Sequence, residues 1–61
     1  MKQILVKDVY HNLRRSSGSD IAERFLSLMV EWDGSKTVWG AYYDPDVLRI
    51  KVREAKDIIY N

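Results

Sequence analysis

Apolar residues recur along the chain at spacings that imply regular structure. In residues 1–15, Leu5, Val6, Val9, Tyr10 and Leu13 fall on one face of a helix. Ile4, Leu5 and Val6 also form a compact apolar run that suits a buried strand, so both readings stand for this stretch. Residues 19–32 favour a helix. Asp20, Glu23, Arg24, Ser27 and Glu31 make a polar stripe at helical spacing, and Ala, Glu, Arg, Leu and Met are good helix formers. Ser19 or Asp20 is placed to cap it, Asp20 and Glu23 have capping-box spacing, and Gly34 lies where a C-terminal glycine belongs. The competing pattern puts Leu26, Leu28, Val30 and Trp32 on one face of a strand.

The last third reads as strand. Thr37 to Tyr43 is rich in β-branched and aromatic residues. Val47 to Arg53 alternates strictly, with Leu48, Ile50 and Val52 on one side and Arg49, Lys51 and Arg53 on the other. Pro45 between Asp44 and Asp46 suits a tight turn. Residues 37–53 are therefore expected to form an antiparallel hairpin with one buried face. Ile58, Ile59 and Tyr60 add a final short strand or a helical turn. The expected class is α+β: a single small domain with an antiparallel β-meander of three to four strands and one amphipathic helix. The alternative has an N-terminal helix followed by strands near 25–32, 37–43, 47–53 and 57–60. In strand spacing and turn placement it resembles the meander of small SH3-like or Sm-like barrels, a likeness that implies no function.

Size narrows the chemistry. At 61 residues the chain is one domain and hides only about 60% of its unfolded surface, too little to enclose a deep cofactor pocket. It has no cysteine, which excludes disulfides, thiolate catalysis and cysteine metal sites. His11 is the sole histidine, and no nucleophile elbow, metal-ligand spacing or phosphate-cradling glycine loop accompanies it. His11 reads as a solvated or partly packed side chain within reach of Asp8. Asp44 and Asp46 read as turn residues. The expectation is a protein that is not an enzyme and takes no cofactor or metal. No apolar run approaches the roughly 20 residues of a membrane span, and the N-terminal residues lack a signal-peptide core, so a soluble cytoplasmic protein is expected.

The net charge of +1 conceals segregation: residues 1–19 carry +3, residues 20–34 carry −3 and residues 35–61 carry +1. Such a distribution steers partners locally. With Tyr43 opposite Val47 in the hairpin, Trp39 and Tyr43 join Arg49, Lys51 and Arg53 on the outer sheet face. A register one residue away would instead bury the aromatics in the core. The expected activity is binding: a small regulator or inhibitor, of the kind phages encode, docking on a protein partner through Trp39, Tyr43, Arg49, Lys51 and Arg53. Trp32 is a further anchor if exposed. The alternative is a nucleic-acid-binding module that stacks bases on the same aromatics and meets phosphates with the same cations. A homodimer through the Leu26/Val30 side, or through an edge strand, is also expected, because so small a core seldom gives more than about 3–5 kcal/mol alone.

Overall fold

The computed structural model describes the backbone of residues 2–60 and the side chains of residues 2–58. Its order is β1 (Ile4–Leu5), α1 (Val6–Ser17), α2 (Ser19–Asp33), a 3-10 turn (Val38–Gly40), β2 (Tyr42–Tyr43) and α3 (Pro45–Tyr60). Three helices dominate, and the only sheet among the described residues is the two-residue antiparallel pair β1–β2, with Ile4 opposite Tyr43 and Leu5 opposite Tyr42. This corrects the fold class expected from sequence: there is neither a three- to four-strand meander nor an SH3/Sm-like barrel.

The first helix uses the apolar spacing of residues 5–13, while the Ile4–Leu5 run forms the short strand ahead of it. Val6 is fully buried, and its N–H donates to the Ala41 carbonyl at 3.0 Å, tying the start of α1 to the chain entering β2. Asp8 in the first turn and Arg14 and Arg15 in the last complement the helix dipole.

Gly18 alone joins α1 to α2. Its N–H donates to the Arg14 carbonyl, and its carbonyl accepts from the Ala22 N–H, both at 3.2 Å. The helix proper begins at Ser19, so the expected Ser19 or Asp20 cap is replaced by the Gly18 backbone, with no side-chain capping bond. At the far end Gly34 takes the left-handed conformation, φ 75° and ψ 16°, and donates to the Val30 carbonyl at 2.8 Å.

The hairpin expected over 37–53 does not form. Asp44 is the cap of α3: its Oδ1 accepts from the Asp46 N–H at 2.9 Å, and its carbonyl accepts from the N–H groups of Val47 and Leu48. Pro45 opens the helix, where a missing N–H costs nothing and a fixed φ helps. The same Asp-Pro-Asp run suits a turn or a helix start. Leu48, Val52 and Ala55 stand at i, i+4 and i+7, and Leu48 and Ala55 are buried. Alternation and helical periodicity both claim Leu48 and Val52, so Ile50 separates them, and it is 56% exposed. Without residues 47–53 as a partner strand, residues 37–43 contribute only the 3-10 turn and β2, which pairs with β1 instead. The Ser35 Oγ accepts the Thr37 N–H at 3.1 Å and shares a 2.7 Å hydrogen bond with the Thr37 hydroxyl. Val38 then enters the core.

α2 is the central element. It packs against both α1 and α3, which touch each other only marginally, and it supplies Ile21, Ala22, Phe25 and Met29 to the core. Val6 and Leu13 from α1, Val38 from the turn and Leu48 and Ala55 from α3 complete it. Leu26 and Val30, the side expected to pair in a homodimer, are half-buried against this core. None of the helices is long and apolar enough to cross a membrane, among the residues described.

Candidate functional site

No cleft opens among the described residues, and no group of three or more His, Asp or Glu side chains gathers there. What the surface offers is aromatic rings held in place by other rings. They form two clusters.

The first is built by α1 and the 3-10 turn. Tyr10 and His11 are consecutive on α1, and Trp39 arrives from the turn. The Trp39 ring centroid lies 5.0 Å from Tyr10 and 5.6 Å from His11, and Tyr10 and His11 are 5.7 Å apart. All three contacts are edge-to-face, the arrangement favoured by ring quadrupoles. Tyr10 is half-buried and His11 exposed, while Trp39 keeps 39% of its surface in solvent. Trp39 is brought there because Val38 anchors the turn and Ala41 closes it by donating to the Val38 carbonyl at 3.0 Å.

The second cluster gathers at the end of α2. Trp32 is 50% exposed, and its ring meets Tyr43 edge-on at 5.4 Å. Lys51 places its Nζ 5.8 Å from the Trp32 ring centroid, within cation–π range. The same Nζ pairs with the Glu54 carboxylate at 3.4 Å. The Lys51 stem lies along apolar surface, leaving its side chain 16% exposed. Partial burial raises the Tyr43 phenol above its ordinary value, and the neighbouring Asp33 carboxylate raises it further.

The five residues expected on one strand face are thus distributed over three places. Trp39 belongs to the first cluster, and Tyr43 and Lys51 to the second. Arg49 and Arg53, four residues apart, share the exposed side of α3. Arg49 reaches Asp46 at 3.7 Å, but both side chains are 79% exposed, so solvent screens the pair. The common face required a two-residue period, and a helix turns Lys51 away from Arg49 and Arg53. Trp32, a candidate anchor only if exposed, keeps half of its surface in solvent. Tyr10 and His11 were not expected beside Trp39. The signal available for them was helical: Lys7, His11 and Arg14 stand at i, i+4 and i+7, with Tyr10 alongside.

No known protein-family model matches the chain, and no curated protein or solved structure matches it either.

Proposed function

We propose that this protein acts without catalysis, as a small regulator or inhibitor that docks on a protein partner. The supporting observation is the pair of part-exposed tryptophans, Trp32 and Trp39, each met edge-on by neighbouring rings, with no cleft among the described residues. A tryptophan already held by Tyr10 and His11, or by Tyr43 and Lys51, loses little conformational freedom on binding. Trp and Tyr are also the side chains that most often dominate contact energies between proteins. The nucleic-acid alternative needed an open sheet face lined by three cations; no such face forms among the described residues, and only Lys51 of the three lies against a tryptophan ring, while Arg49 and Arg53 share the exposed side of α3. Self-association belongs to the same proposal, because Trp32, Tyr42 and Ile50 leave apolar surface that a second copy would cover.

The test is photo-crosslinking in cells that naturally make the protein. A benzophenone side chain replaces Tyr42, which is 58% exposed beside the second cluster, or His11 in the first. The expected result is one discrete protein adduct from at least one position, lost when unlabelled protein competes. No competable adduct from either position contradicts the proposal.

A further inference from the structure

We propose that the row Lys7–His11–Arg14 on α1, with Trp39 across its middle, is the docking site for an acidic protein segment. The inference rests on the protein-docking reading above and names the chemistry of the partner.

The row is a consequence of helical spacing. Residues at i, i+4 and i+7 stand one above another, and at 1.5 Å rise per residue Lys7 and Arg14 are separated by about 10 Å along the axis. All three side chains are exposed. Trp39 packs on His11 and Tyr10, at the level between the two cations. Arg15 flanks the row and donates to the Asn12 Oδ1 at 2.7 Å. Neither Lys7 nor Arg14 has an ion-pair partner among the described residues. Asp8 is the only carboxylate α1 contributes. The surface therefore presents two unpaired cations about two helical turns apart, with a part-exposed indole between them.

Its complement is a segment with carboxylates at matching separation and an apolar side chain between them. Such a segment neutralises the cations and covers the free edge of Trp39 at once. A long polyanion fits less well. The cationic row ends within about 10 Å, and the exposed stripe of α2 carries Asp20, Glu23 and Glu31 against Arg24. The affinity of a phosphodiester chain depends on many phosphate contacts rather than two. A compact acidic segment ends where the row ends.

The experiment uses Trp32→Phe protein, in which Trp39 is the sole tryptophan. A short helical peptide with glutamates at i and i+7 around a central leucine is titrated against it, with an oligothymidylate of equal charge in parallel. The expected result is a saturable change in Trp39 emission with the peptide, weakening as salt rises. Affinity should fall about tenfold or more when Lys7→Glu and Arg14→Glu are added. Both positions are exposed, and an unchanged melting temperature verifies the fold. Trp39→Leu, followed by anisotropy of a labelled peptide, should weaken binding with the charges intact. Equal peptide affinity with and without the charge reversals overturns the inference, as does the absence of saturable binding. Tighter binding of the oligothymidylate overturns it too, and assigns the row to nucleic acid. The crosslinking positions separate the two readings. A partner captured from Tyr42 but not from His11 sinks the acidic-segment site and leaves docking standing, whereas no partner from either sinks both.

Discussion

Gly18 holds φ 100° and ψ 162°, a region that only glycine enters without strain, while nothing lies within 4 Å of where a Cβ would sit. Gly18→Ala therefore meets no clash and suffers only the backbone penalty, about 1–3 kcal/mol. Chemical denaturation should show that loss at Gly18 and essentially none for alanine at Gly40, which has ordinary φ and equally open surroundings. Asp44 is tested in the same way. Asp44→Ala removes the acceptor for the Asp46 N–H and should lower stability by about 1 kcal/mol. Tyr43 supplies the pH dependence. Its phenol, raised by partial burial and then by Asp33, holds its proton more tightly in the folded protein than in the unfolded chain. That contribution is fully present below the unfolded value of 10.0 and disappears as pH rises through the higher folded value. Denaturation midpoints should fall more steeply above pH 10.0 in the native protein than in Tyr43→Phe. Equal slopes would remove the effect.

The elements differ in how plainly the sequence displayed them. α2 was legible because its polar stripe spans three turns and Gly34 closes it, so period and punctuation agree. α3 was not. Over the seven residues from Val47 to Arg53, a two-residue period and a helical one place Leu48 and Val52 together, and Ile50 makes the alternation look complete. The helical pattern emerges only when Ala55 is read with them, and Pro45 signals a turn and a helix start alike. The sequence singled out Trp39 and Tyr43 as candidates but not their company, since their ring contacts come from α1 and the end of α2. The two readings of α3 give opposite mutational patterns. In a hairpin Leu48 and Ile50 share one core face and cost alike on truncation. In the helix, at dilutions where the chain is monomeric, Leu48→Ala should cost about 2–5 kcal/mol and Ile50→Ala no more than about 0.5 kcal/mol. Thermal melts of the two variants decide between them.

For the whole molecule, the radius of gyration is 10.6 Å, close to the roughly 10.5 Å expected of a compact chain this long. The principal extents are 31 × 22 × 17 Å. The shortest extent leaves little depth, with α2 in the middle and α1 and α3 on its flanks. That shape accounts for the absence of a cleft among the described residues. A core of this size gives about 3–5 kcal/mol, so a single Leu48→Ala consumes most of it, and covering Trp32, Tyr42 and Ile50 would add materially. Sedimentation equilibrium at rising concentration should show a reversible dimer, and a strict monomer would remove self-association from the proposal. All of these expectations depend on residues 45–60 being helical and on Trp39 resting against α1. One set of NMR spectra on the free protein tests both. Helical Cα shifts are expected through Pro45–Tyr60, with nuclear Overhauser contacts from the Trp39 indole to the rings of Tyr10 and His11. Extended shifts over Val47–Arg53, with cross-strand contacts between Tyr42 and Leu48, would contradict this fold.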